Sequence, residues 1–270
     1  MIRSLYTAVS GMITQEAKQD VITNNMANAG TVGYKGDNLA IKQFKDVMIR
    51  NYDTVQNGKR IGKNIGSLSL GSAIDDTNID FTQGDIQDTG KDNDFAVDGP
   101  GFFVVQRNNG VNTNQYYTRD GHFHVNMQGN LVNDSGDLVM GTNLATGVSE
   151  PINVGNGKLT ADAYGNIRVD GQLKYKMQLA NFNENNANNL LKDYKSLKKI
   201  GDNLYEDTGN NLALSNNITI RQGSLEKSNV NIINEMANMM TTMRSFETDQ
   251  KVVQSIDETL GKTVNDVGKV

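Results

Sequence analysis

The stretch Ile232-Ile-Asn-Glu-Met236-Ala-Asn-Met239-Met240-Thr-Thr-Met243-Arg-Ser-Phe246, running on through Val253, Leu260 and Val264 to Val267, decides how this chain is read. Stepping alternately four and three residues from Ile232 reaches Met236, Met239, Met243, Phe246, Gln250, Val253, Asp257, Leu260, Val264 and Val267. Nine of these eleven positions are apolar. The mean spacing of 3.5 is the seam of paired helices and not the alternation of a strand. A flanking row of Ile233, Ala237, Met240 and Ile256 widens the seam to a bundle-forming stripe. At 1.5 Å per residue the segment is roughly 50 Å long and needs a partner of similar length.

The opposite end of the chain offers one. Ile2, Leu5, Tyr6, Val9, Met12, Ile13, Ala17, Val21, Ile22 and Met26 recur at three- and four-residue steps, which predicts a helix over 2–28. Gly11 weakens that helix by about 1 kcal/mol relative to Ala without breaking it. Pairing of the two terminal helices is one reading; separate docking of each on a globular core is the other. The run Asn28-Ala-Gly30-Thr31-Val-Gly33-Tyr34-Lys35 then ends the first helix, because Asn and Gly tolerate the left-handed backbone that releases the last carbonyls.

Between the ends the pattern changes to period two. Residues 36–71 read as a β-like arm with a turn at Asn57-Gly58, although Leu39, Ile41, Phe44, Val47 and Met48 also fit a short helix. From 72 to 224 short apolar runs alternate with turn residues: Phe95–Val97, Phe102–Val105, Tyr116–Thr118, Phe123–Val125, Leu131–Val132, Leu138–Met140, Ile167–Val169 and Leu173–Phe182. Asp120-Gly121 carries a hairpin signal. Such spacing predicts a sandwich or irregular barrel with Phe103, Phe123, Val125 and Leu131 in its core, not a parallel α/β sheet. The expected fold is therefore α+β. A helix over 1–35 and a helix over 225–270 pair as a coiled-coil-like bundle, with a linker arm at 36–71 and a central all-β domain at 72–224.

Composition narrows the function classes. The chain has 270 residues, a net charge of −5, no Cys and no Trp. The charge argues against a nucleic-acid partner, and disulfides and thiolate metal sites are excluded. No run approaches the length of a membrane span, and the first residues lack the apolar core and cleavage site of a secretory signal. Asn is unusually frequent, at 36 residues. Turn formation accounts for it, as does a genome biased towards Asn codons.

Candidate chemical sites are few. His122 and His124 lie on one side of a strand and, with no Cys available and no evident third ligand, read as a solvated face. The acidic residues Asp75, Asp76, Asp80, Asp85, Asp88, Asp92, Asp94 and Asp98 do not follow the Ca²⁺-loop spacing, since Ala96 stands at a ligand position. They read as turn formers. No nucleophile elbow, phosphate loop or zinc-protease motif occurs. No cofactor and no small-molecule substrate are expected.

Three ordered runs carry a family resemblance. The first contains Asn24, Asn25, Ala27, Asn28, Thr31, Gly33, Tyr34 and Lys35. The second runs from Gly101-Phe-Phe-Val through Tyr117-Thr-Arg-Asp-Gly-His-Phe123 to Gly129-Asn-Leu-Val132. The third is Gly223-Ser-Leu-Glu226-Lys-Ser-Asn-Val-Asn231, with Glu235-Met236 and Arg244, Phe246 and Glu247 beyond it. Together they resemble the bacterial flagellar rod and hook proteins, departing at Met26 and at Ala29-Gly30. The resemblance implies a non-enzymatic axial subunit, most like the distal-rod member, with a proximal-rod or hook member as the alternative. It implies a helical homo-oligomer, neighbouring rod and hook proteins, and passage through the flagellar export apparatus to the extracytoplasmic basal body without a cleaved signal. In that setting Leu5, Val9, Met12, Ile232, Met236, Met239, Met243, Phe246, Val253, Leu260 and Val264 are the expected assembly residues. One apolar face offsets too little of the ordering cost of two long helices, so both termini are expected to fold on joining the assembly. A β binding module on a coiled-coil stalk and a cell-wall hydrolase are the readings from other classes.

Overall fold

A computed structural model describes residues 2–56, 59–108, 113–182, 194–208, 213–214 and 218–268. The chain forms two compact units, one of residues Met1–Ala27, Asp37–Asp80 and Asn231–Val270, the other of Asn28–Gly36 and Phe81–Val230. The architecture is α+β, with a helix near each end of the chain and a β-rich centre.

In the first unit, helix α1 (Ile2–Ala27) packs along helix α2 (Ile232–Val267). The Asn231 side chain caps α2 by accepting from the amides of Ile233 and Asn234, and Glu235 in the first turn complements the helix dipole. That cap places the helix start at Ile232, so Leu225 and Glu226 fall instead in a strand. Among the described residues the arm forms strands and no helix. Strands β1 (Asp37–Gln43), β2 (Val47–Gln56), β3 (Lys59–Leu68) and β4 (Ser72–Ile79) pair as β1 with β4 and β2 with β3, both antiparallel. The expected turn at Asn57-Gly58 lies outside the described residues. The base of this ribbon is tied to α1. Thr7 Oγ1 donates to Leu70 O at 2.9 Å, the Ser72 amide donates to Ser10 Oγ at 3.2 Å, and the Asn25 amide group exchanges two 2.9 Å hydrogen bonds with the Asp37 backbone.

In the second unit every described strand pair is antiparallel. The main sheet runs through 159–161, 166–169, 172–177, 138–143, 102–108, 113–118, 204–207 and 197–201 as successive neighbours. Two shorter pairings, 95–98 with 219–222 and 86–88 with 224–226, join distant parts of the chain. Phe103, Phe123 and Leu131 are buried in the main cluster with Phe95, Val105, Ile152 and Ile167, and Val125 packs against it partly buried.

Many asparagines have a defined job here. In 126–130, 133–137 and 162–166, an Asn or Asp begins a five-residue turn and accepts the amide of the residue four positions on. The fourth residue is a left-handed glycine in each case: Gly129, Gly136 and Gly165. Recurrent local turn chemistry of this kind is what Asn and Gly supply at little strain. Asp120-Gly121 behaves differently from the hairpin expected, since strands 113–118 and 124–125 are not paired with each other. The chain turns a corner there, with the Phe95 amide donating to Gly121 O at 3.0 Å.

Candidate assembly faces and the buried signature residues

The predicted seam of α2 divides into two. Met239, Phe246, Val253 and Leu260 are half-buried and lie in register with Thr242, Asp249 and Ile256 on the side covered within the unit. Ile232, Met236 and Met243 remain 46%, 49% and 48% exposed, and Val264 with Met240 and Ile233 is exposed as well. Gln250 and Asp257, the two polar seam positions, are exposed. The buried stripe is thus rotated from the predicted one. It exchanges the row 236, 243, 250 and 257 for the row 235, 242, 249 and 256, one residue earlier on the helix surface. On α1, Leu5 and Met12 are half-buried, whereas Tyr6, Val9 and Ile13 are exposed. A Cβ built on Gly11 would lie 3.1 Å from Asp249 Oδ2, so the helices approach closely at this pair. Both long helices thus carry large apolar side chains that stand exposed.

The first family run is split between the units. Asn25 is buried in the first, on the Asp37 backbone, while Asn24 and Ala27 are exposed. From Asn28 onward the run belongs to the second. Asn28 O accepts the Thr31 amide at 3.1 Å, with Thr31 itself exposed. Gly33 takes φ +65°, and its amide donates to Glu226 O at 2.7 Å. Tyr34 is buried under the Lys199 ammonium, 3.9 Å from the ring centre.

Lys35 then enters an interior ion cluster. Its Nζ lies 2.6 Å from Glu226 Oε1 and donates to Thr82 O at 2.7 Å. Arg119 Nη1 lies 3.1 Å from Glu226 Oε2, and Nη2 donates to Gly99 O at 2.9 Å. The Gly84 amide adds a 2.9 Å hydrogen bond to Glu226 Oε1. Side-chain exposure is 0% for Lys35 and Glu226 and 2% for Arg119. The Arg119 guanidinium stacks 5.0 Å from the Phe102 ring, beside Phe81, Tyr194 and Tyr205. Lys35, Arg119 and Glu226 come one each from the three family runs. Arg119 and Glu226 stand in those runs with no role legible from the sequence alone. The available signal was that each of the three runs carries a charged residue of a sign that fits: Lys35, Arg119 and Glu226.

His122 Nδ1 is 3.1 Å and His124 Nδ1 3.8 Å from Asp134 Oδ1, both at a partly exposed surface. Beside them burial pushes the Asp120 carboxyl up to about 6, with Asp134 and Asp94 adding to the rise and the His122 amide opposing it. The acidic residues read as turn formers are largely committed to partners: Asp75 to Lys42, Asp88 to Ser224, Asp94 to Thr89 and Asp98 to Arg221. Among the described residues, no group of three or more His, Asp or Glu side chains is arranged to hold a metal ion.

A β-rich centre, a helix near each chain end, ion-paired family runs and exposed apolar helix faces are features of a structural class of protein. Three family profiles match in order along the chain. They are "Flagella basal body rod protein" over residues 5–35, "Flagellar hook protein FlgE/F/G D1 domain" over 96–175, and "Flagellar basal body rod FlgEFG protein C-terminal" over 221–266. The flagellar basal-body rod protein FlgG of Bacillus subtilis is 31% identical over 98% of this chain and 99% of its own length. FlgG of Buchnera aphidicola (subsp. Schizaphis graminum) is 30% identical over 97% and 98%. The hook-basal body complex protein FlhO of B. subtilis is 28% identical over the full length of both. The chain belongs to the flagellar basal-body rod protein family.

Proposed function

We propose that this protein is a non-enzymatic structural subunit of the flagellar rod that assembles with copies of itself through its terminal helices. The observation that carries this reading is the row Ile232, Met236 and Met243 on α2, left exposed together with Tyr6, Val9 and Ile13 on α1. A neighbouring copy that covers this row completes the coiled-coil-like helix layer that α1 alone covers on one side. Contacts that repeat head to tail without closing generate a helical tube.

The same reading assigns the chain to the distal rod, in keeping with the relatives named FlgG. It makes the other rod and hook proteins its neighbours, torque transmission its mechanical duty and the flagellar export apparatus its route out. A hook or proximal-rod position is the alternative within the family. Sedimentation and hydrogen exchange on the full-length chain test the assembly. At low concentration amides in 232–260 exchange fast, and they become protected as large species form. A chain that protects 232–260 as a monomer and never associates at high concentration overturns the reading.

A further inference from the structure

The ion cluster of the β body has a property that assembly contacts do not share: it is sealed from solvent and joins two connections, the one that follows α1 and the one that precedes α2. Residues 28–36 form the first connection and 226–230 the second. They are held side by side by the Gly33 amide on Glu226 O at 2.7 Å, by the Gly36 amide on Asn229 Oδ1 at 2.9 Å and by Lys35 on Glu226 at 2.6 Å. Asn229 and Lys35 both donate to Thr82 O, at 3.3 and 2.7 Å, so the same carbonyl is shared by the two connections. Asn203 Nδ2 on Val32 O at 2.6 Å and Lys199 Nζ on Lys35 O at 3.1 Å add two further hydrogen bonds to the first connection.

We propose that Lys35, Arg119 and Glu226 are positioning residues of one ionic latch, and that the N- and C-terminal family runs are its matched halves rather than docking surfaces for other subunits. Two cations share one carboxylate, so the three charges are unequal in what their removal does. Replacing Lys35 leaves a one-to-one Arg119–Glu226 pair. Replacing Glu226 strands two buried cations, the costlier defect. Replacing Lys35 in addition to Glu226 takes one stranded charge away. The latch therefore has a signature in coupling between sites, which independent surface contacts lack.

The test compares full-length Lys35→Met, Glu226→Gln and the double variant. Expected is a large fall in Tm for Glu226→Gln, roughly 10 °C, a smaller one for Lys35→Met, and partial recovery in the double variant relative to Glu226→Gln. Because the chain has no Cys, spin labels at Thr31→Cys and Lys227→Cys, both exposed, are unique reporters of the two connections. The label distance is narrow in the parent and broadens in Lys35→Met at temperatures where the β body is still folded, a change that loss of stability alone does not produce. The Lys35→Met arm stands even if Glu226→Gln fails to fold. Unchanged Tm and narrow distances in all three variants, with loss of association only, overturn the proposal and make these runs contact surfaces.

Discussion

Gly33 lies directly against the backbone of Arg119: a Cβ at residue 33 would stand 2.5 Å from the Arg119 carbonyl carbon and 2.5 Å from the Asp120 amide nitrogen. The left-handed φ of +65° adds a second reason for glycine. Gly33→Ala is therefore expected to destabilise the chain by about 2–4 kcal/mol, from strain at the backbone and displacement of the neighbouring corner. Urea denaturation measures it, and a loss below about 1 kcal/mol would show that the corner yields freely.

Asp120 gives the chain a pH dependence of unusual sign for an aspartate. Its carboxyl is raised by burial from 3.8 to about 6 in the folded chain. Below pH 3.8 both states hold the proton and the contribution to stability is complete. Between about 4 and 6 the unfolded chain gives up the proton first, so stability is lost as pH rises through the folded value. Asp120→Asn keeps an acceptor for the His122 amide. It is expected to raise stability at pH 7 by about 1–3 kcal/mol and to leave it unchanged near pH 3.5. Equal effects at both pH values would refute the burial argument.

The two rows of α2 separate stability from assembly. Met243→Asp places a charge on an exposed row and is expected to change the stability of the unassembled chain by less than about 0.5 kcal/mol. It should abolish association and, in the organism, motility. Phe246→Ala, on the half-buried row, removes a covered ring. It is expected to weaken the α1–α2 contact by about 1–3 kcal/mol. Hydrogen exchange of α1 amides, run beside sedimentation, distinguishes the two, and reversed phenotypes would mean that the rows are misassigned.

Gly11 is the close-approach point of α1. Gly11→Ala gains up to about 1 kcal/mol in helix propensity, against a 3.1 Å contact with the movable end of Asp249. Its expected effect on the thermal midpoint is small. Gly11→Leu cannot be accommodated by that side-chain shift and should part the helices, visible as faster exchange along α2 in the assembled species, where the parent is protected. A tolerated leucine would place the closest approach elsewhere.

Helices and strands differ in how much of their arrangement a sequence discloses. The repeat from Ile232 to Val264 announced one long helix, and the helix observed spans Ile232–Val267. Which of its apolar residues are covered was not legible, because the rows 235/242/249/256 and 236/243/250/257 each make a seam with Met239, Phe246, Val253 and Leu260. Only the position of α1 chooses between them. The strand at 224–226 was hidden for another reason. A three-residue strand has no period to detect, and its partner lies at 86–88, far away in sequence.

The sequence by itself determined the α+β class, the helix at each end, the family and the residues of its three runs, while for the arm it left strand and short helix both open. These follow from local causes: the spacing of apolar side chains, the conformational tolerance of Asn and Gly, and motifs contiguous in the chain. Tertiary structure alone decided that Asp120-Gly121 is a corner, which face of α2 stays open, and that Lys35, Arg119 and Glu226 meet. A buried charge is stable only beside its counter-charge, and Lys35 and Glu226 are 191 residues apart, so no local pattern could name the pair.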